Sequence, residues 1–252
     1  MPQAFIRPTP SAKEVIARLH ALGSERHRAS AARLGIPSDK SFGVPVPEIR
    51  KLGKQIGRNQ KLAEELWKSG YHEARLLAVL VAAPEKMTGP RVDRWLGDVV
   101  SWDLCDHLCN NLLIDVPLCA KRIPAWAKDE REFVRRAAFA LMSSLSIHRI
   151  EVAKEMVGQN LKLIRACARD PRNYVKKAVS WALREIGKRD RDYGALDQAI
   201  ALAAELSESK NAAERWVGKD ALKELETLVT VSGRRRLVSS KTKSGGKAAR
   251  KN

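Results

Sequence analysis

The stretch Asn173-Tyr174-Val175-Lys176-Lys177-Ala178-Val179-Ser180-Trp181-Ala182-Leu183-Arg184-Glu185-Ile186-Gly187-Lys188 reads as one helix, entered through Asp170-Pro171 and uninterrupted by proline. At about 100° per residue, Val175, Val179, Ala182, Leu183 and Ile186 form a single apolar stripe that can face a core. Tyr174, Lys177, Trp181, Arg184 and Lys188 fall on the other side. Water gives no reason to set a large indole among cations on the face a core does not use. A polyanion with sugar and base surfaces does.

The pattern recurs. Phe133-Val134-Arg135-Arg136-Ala137-Ala138 aligns with Tyr174-Val175-Lys176-Lys177-Ala178-Val179, and both align, less closely, with Trp216-Val217-Gly218-Lys219. A period of about 40 residues with two helices per unit marks HEAT or armadillo solenoids, in which each unit buries its apolar face against its neighbours. The second helices of the units would line one concave surface. Arg136, Lys177 and Lys219 then occupy equivalent places, and Arg135, Lys176, Arg184 and Lys188 add charge on the same helices. The expected architecture is an all-α, HEAT-like solenoid of antiparallel helix pairs with a basic concave groove.

The rest of the chain agrees. Residues 11–34 read as two short helices broken near Gly23. Phe42-Gly43-Val44-Pro45-Val46-Pro47 is extended, because each proline biases its predecessor away from helix. Helical spacing then runs through 47–56, 62–67, 73–83, 92–100, 102–113, 118–127, 132–145, 151–157, 161–169, 173–188, 193–205 and 212–228, with no alternating strand pattern. Residues 1–231 are expected as one repeat domain. Residues 232–252 hold Ser, Gly and eight cations with almost nothing apolar, and are expected as a disordered basic tail.

The 252-residue chain has a formal net charge of +18. Removing the tail's eight cations leaves +10, so the basic field belongs to the body as well and favours phosphate backbones or acidic surfaces. No apolar run reaches the about 18 residues a membrane span needs. Met1-Pro2-Gln3-Ala4-Phe5 lacks a basic region followed by an apolar segment, so no signal peptide is expected. Cys105, Cys109, Cys119 and Cys167 lack CxxC spacing and read as buried reduced thiols, with a metal site the lesser alternative. The expected setting is a reducing cytoplasm, with no metal or other cofactor.

Ser101-Trp102-Asp103-Leu104-Cys105-Asp106-His107-Leu108-Cys109-Asn110 is the second informative helix, with Ser101 as its expected N-cap. Leu104, Leu108, Leu112, Cys105 and Cys109 make its apolar stripe. Trp102, Asp106 and Asn110 share the far side, and Asp103 suits the helix N-terminus. Two helices therefore turn a Trp away from the core, one with a carboxylate and one with Arg and Lys. That set suits a cationic purine lesion in DNA. Cleaving its glycosidic bond builds positive charge on the sugar. A carboxylate stabilises that charge and positions water, indole faces attract the cation, and Lys or Arg hold flanking phosphates.

These segments resemble the AlkD-type DNA alkylation repair family of HEAT-like DNA glycosylases. The likeness is carried by Phe42 to Arg50, Leu66-Trp67, His72-Glu73-Ala74-Arg75, Ser101 to Asp106, Val134 to Ala138 and Val175 to Arg184. It runs from about residue 25 to 230. The resemblance implies excision of cationic N3- and N7-alkylated purines from duplex DNA without flipping the base into a pocket. It also implies Asp106 as the catalytic carboxylate, Trp102 and Trp181 against the lesion deoxyribose, and Arg136 and Arg184 on the backbone. The family often has Trp-Trp where this chain has Ser101-Trp102, and an aromatic where it has Leu34.

The expected function is a monofunctional alkylpurine DNA glycosylase of base excision repair, a monomer without an obligate protein partner. It would lie in the cytoplasm, at the nucleoid when bound. No Lys is placed by motif as a Schiff-base nucleophile. Two alternatives stand beside it: a noncatalytic HEAT-repeat protein binding branched or damaged DNA, and a scaffold whose basic face meets acidic proteins.

Overall fold

A computed structural model describes residues 10–250, so the expectation for Met1 to Phe5 lies outside the described residues. The chain divides into two compact units, the first ending at Val116 and the second beginning at Pro117.

The first unit is built from short helices: α1 (Ala12–Ala21), α2 (Glu25–Arg33), α3 (Val46–Ile56), α4 (Gln60–Lys68), α5 (His72–Val81), α6 (Gly89–Gly97) and α7 (Trp102–Asn111). α5 packs between α3 and α7. Trp67 of α4 and Trp95 of α6 stack at 4.0 Å and are both buried. Arg75 lies over the Trp67 ring, whose indole N–H donates to Asp98 at 2.8 Å. The bonds Phe42–Glu73, Trp67–Asp98, His72–Asp103 and Leu76–His107 each join residues 31 apart. The first unit thus repeats at a shorter interval than the 40 read from the sequence, because its helices are only 9–11 residues long.

The second unit has longer helices: α8 (Pro117–Trp126), α9 (Glu132–His148), α10 (Ile150–Cys167), α11 (Asn173–Lys188), α12 (Asp190–Tyr193), α13 (Leu196–Ser207) and α14 (Ala212–Leu225). The repeat seen in the sequence is physical here. Phe133 meets Tyr174 at 5.6 Å between ring centroids, and Ser180–Asp220 and Arg184–Glu224 join residues 40 apart. Val175, Val179, Ala182, Leu183 and Ile186 are all buried, as their spacing demands. Each such Val, Leu or Ile is worth about 1.5–3 kcal/mol against exposure. The stretches 151–157 and 161–169 form one continuous α10. Gly158 faces open space, and helix continuity tolerates a lone glycine at a cost of about 1 kcal/mol.

The expected disordered tail is instead folded through the described residues, up to residue 250. Strands β1 (Leu228–Val229) and β2 (Val238–Ser239) pair antiparallel and precede α15 (Lys243–Ala249). Arg236 donates to both oxygens of buried Glu185 at 2.7 and 2.6 Å, and the Leu237 amide donates to the Lys188 carbonyl at 2.8 Å. Gly245, inside the stretch expected as disordered, is a packing device. A β-carbon at Gly245 would come within 2.1 Å of the Ser239 carbonyl oxygen. Among the described residues no helix is long and apolar enough to cross a membrane.

Candidate nucleic-acid interface

In the first unit the start of α7 holds Trp102 and Asp106, two of the expected site residues. Leu104, Cys105, Leu108 and Cys109 are buried, while Trp102 and Asp106 remain half-buried one turn apart. Ser101 is fully buried, and its side chain does not cap the helix as expected. The Trp102 indole N–H donates to the Leu34 carbonyl at 3.0 Å, tying α7 to the end of α2. Asp103 accepts from or shares a proton with His72 Nε2 at 2.8 Å. Burial pushes the Asp103 carboxyl up, but the bond to His72 and its charge outweigh that and leave it below the usual carboxylate range. The two carboxylates of α7 therefore differ in role: Asp103 is committed to His72, and Asp106 stands on the Trp102 side.

Beside these residues lies a cavity of about 220 Å³, lined among others by Leu34, Ile36, Val46, His72, Glu73 and Asp103. The loop from Ser41 to Val44, part of the same lining, is held by a single buried carboxylate. Glu73 accepts from Ser41 Oγ at 2.7 Å and from the amides of Phe42, Gly43 and Val44 at 2.9, 2.7 and 3.3 Å. Gly43 has φ +73°, and a β-carbon there would meet the Ser24 carbonyl at 2.3 Å. His107, between the two buried cysteines, hydrogen-bonds the Leu76 carbonyl; burial first, and the Arg50 charge second, lower its pKa to about 4, so it is a neutral packing group. No group of His, Cys, Asp and Glu suited to a metal occurs among the described residues.

In the second unit the expected cations fall into two classes. Lys177 and Lys219 are exposed, and half-buried Lys176 lies 5.0 Å over the Trp216 ring. Trp181 is half-buried. The remaining cations face protein groups. Arg136, expected on the open face, is 6% exposed and donates to the Tyr174 carbonyl at 2.5 Å. Lys188, likewise expected outside, is buried between Glu185 at 3.1 Å and Glu224 at 2.7 Å. Arg184 pairs with Glu224 at 2.8 Å and Arg135 with Asp170 at 2.7 Å. A helical wheel assigns a face but not the acids that a neighbouring helix brings to it. Glu224 and Asp170 lie about one repeat away from the cations they meet.

Sequence reasoning also missed the work of His72 and Glu73. The signal was present: an acidic residue stands second in both α5 and α7, as Glu73 and Asp103.

A comparison with curated proteins finds no match. Among solved structures, the chain is similar to a member of a family related to the HEAT-like repeat DNA glycosylases with affinity for branched DNA structures. That likeness has TM-score 0.69 and 20% identity, over 85% of this chain and 95% of the other. It is also similar to smu.31 from Streptococcus mutans UA159, with TM-score 0.52 and 23% identity over 84% and 98% of the two chains. AlkD2 from Streptococcus mutans matches with TM-score 0.51 and 21% identity over 84% and 98%. These likenesses establish a HEAT-like helical repeat fold. Residues 15–225 match the family described as DNA alkylation repair enzyme, and the chain belongs to that family.

Proposed function

We propose that the protein is a monofunctional glycosylase that releases N3- or N7-alkylated purines from duplex DNA. The carrying observation is the pairing of half-buried Trp102 and Asp106 one turn apart on α7, with Trp102 fixed through its N–H to Leu34. An indole so held presents its face rather than its edge donor. A face attracts the polarised C–H groups of a deoxyribose and the charge of an alkylated purine. Asp106, on the same side, stabilises the positive charge that grows on the sugar as the glycosidic bond breaks, and positions the attacking water. Departure of a base that is already cationic needs no general acid. Exposed Lys177 and Lys219 meet phosphates without reading sequence. The family resemblance assigns Trp181 the same kind of sugar contact, which its own substitution tests.

The test is single-turnover base release from duplex containing N7-methylguanine. Asp106→Asn keeps shape and removes charge. Release should fall at least about tenfold, or about 1.4 kcal/mol of barrier, while affinity for plain duplex holds or rises. Trp102→Ala and Trp181→Ala should also slow release. Release by Asp106→Asn at the wild-type rate would sink the catalytic assignment.

A second reading is supported by the structural likeness to the protein family with affinity for branched DNA. In it the chain binds branched or damaged DNA without excision. Tight binding to a four-way junction with no release of N3- or N7-alkylated purine by the wild type would favour it.

A further inference from the structure

The C-terminal segment has no place in the family match, which ends at residue 225. From Thr227 to Asn252 it holds eight cations and no acid. In the second unit's repeat helices Arg135, Arg184 and Lys188 are each neutralised by a carboxylate at 2.7–2.8 Å. The C-terminal segment does the opposite with most of its charge. Two of its arginines serve as anchors: Arg236 grips buried Glu185, and Arg235 pairs with Asp192. Arg234, Lys241, Lys243, Lys247 and Arg250 are exposed, and among the described residues none of them is paired with a carboxylate.

These five cations are held in place rather than carried on a loose chain. The Ser240 amide donates to the Thr227 carbonyl at 2.7 Å, and Thr242 caps α15 through the Gly245 amide at 3.1 Å. Lys241 Nζ donates to the Lys223 carbonyl at 3.2 Å, and Arg191 donates to the Arg234 carbonyl at 3.1 Å. Leu237 and Ser239 of the segment are buried, and α15 sits on Ser239 through Gly245. Ordered cations lose less entropy when they bind than cations on a free tail. A small, folded, acid-free surface with no apolar patch fits a regular array of phosphates better than it fits an acidic protein, whose recognition needs an apolar centre.

We propose that the segment from Leu228 to Arg250 is a second DNA-contact surface, appended to the repeat domain, that binds the phosphate backbone of duplex DNA independently of lesion and sequence. It rests on the reading of the protein as DNA-binding but not on base excision.

The test compares two full-length variants with the same loss of charge: Lys243→Gln/Lys247→Gln/Arg250→Gln, and Lys61→Gln/Lys68→Gln/Lys86→Gln on exposed positions of the first unit. The measurement is affinity for undamaged duplex across a salt series, beside the thermal midpoint and saturated single-turnover base release. The C-terminal variant should lose at least about tenfold in affinity at low salt and about two to three units of salt slope. Its midpoint and its saturated release rate should stay at wild-type values. The first-unit variant should lose under about threefold. Wild-type affinity in the C-terminal variant overturns the proposal. So does an equal loss in both variants, which would make the effect one of net charge. Absence of base release in every protein, with the affinity difference intact, removes the glycosylase reading and leaves this surface standing.

Discussion

The two units place carboxylates near helix ends for different ends. In the first unit the two carboxylates that line the cavity grip backbone amides and an imidazole, while Glu25 and Glu64 pair with arginines: Glu73 takes three amides and a hydroxyl, and Asp103 takes His72. In the second they grip cations: Asp170 holds Arg135 and Arg172, Glu224 holds Arg184 and Lys188, and Glu185 holds Lys188 and Arg236. The first arrangement fixes loops around a cavity beside Trp102. The second ties neighbouring repeats together and subtracts charge from a surface whose sequence reads as uniformly basic. A repeat protein can thus shape a site with one set of acids and tune its affinity with another.

The sharpest way to break that contrast is Glu73→Gln. The amide keeps one acceptor but turns an N–H₂ toward at least one backbone amide, which can only donate. Glu73 is 2% exposed, so water cannot compensate. We expect a loss of about 2–4 kcal/mol in urea unfolding. A loss below about 1 kcal/mol would mean that the close fit of Gly43 alone holds the loop.

Arg236→Ala asks whether the C-terminal segment is part of the second unit. It removes a two-pronged grip on Glu185, whose side chain is 3% exposed and would keep only Lys188. The expected cost is about 1–3 kcal/mol, with the segment becoming open to limited proteolysis. An unchanged thermal midpoint would restore the reading of these residues as a tail.

The His72–Asp103 pair gives a pH signature to the first unit. Its carboxyl titrates below the usual range when folded. The stabilisation is therefore complete above the ordinary carboxylate pKa, about 4, and is lost as pH falls toward the depressed value. Asp103→Asn should cost about 1–2 kcal/mol at neutral pH, and its deficit against wild type should shrink below about pH 4. A deficit constant from pH 7 to pH 3 would show that packing, not charge, is what Asp103 supplies.

The sequence carried most of the helix pattern because apolar spacing is a local property. The stripe from Val175 to Ile186 was legible, and so was the 40-residue recurrence that joins α9, α11 and α14. The shorter recurrence of the first unit was not, since nine-residue helices leave too few positions for an alignment to register. Two expectations fail: 151–157 and 161–169 read as separate where the helix runs on, and 232–252 reads as disordered although Gly245 packs against the Ser239 carbonyl. Trp102, Asp106 and Trp181, which their wheels turn away from the core, are half-buried. Arg136 and Lys188 do not, because a wheel records which way a side chain leaves its own helix and nothing about the carbonyl of Tyr174 or the acids Glu185 and Glu224 that await it.

The smallest expected effect sharpens the comparison most, because it separates the tuning of charge from its mere presence. Glu224 binds Arg184 at 2.8 Å and Lys188 at 2.7 Å, and these two cations with burial decide its titration. Burial raises its carboxyl, but the bond and charge of Lys188, then the charge and bond of Arg184, outweigh that and leave it below the usual range. It is ionised at neutral pH, and a phosphate approaching Arg184 must compete with it. Glu224→Gln keeps one acceptor oxygen, which Arg184 or Lys188 can use, and removes the competing charge. Lys188 stays paired with Glu185 and out of reach, so only Arg184 gains. Affinity for plain duplex should rise about two- to threefold at low salt, and the salt slope should steepen by about one unit. In Arg184→Ala the same change at Glu224 should have no effect on the slope. A rise of equal size with and without Arg184 would trace to the long-range field of one lost acid, and the second unit's carboxylates would then be ties between repeats and nothing more.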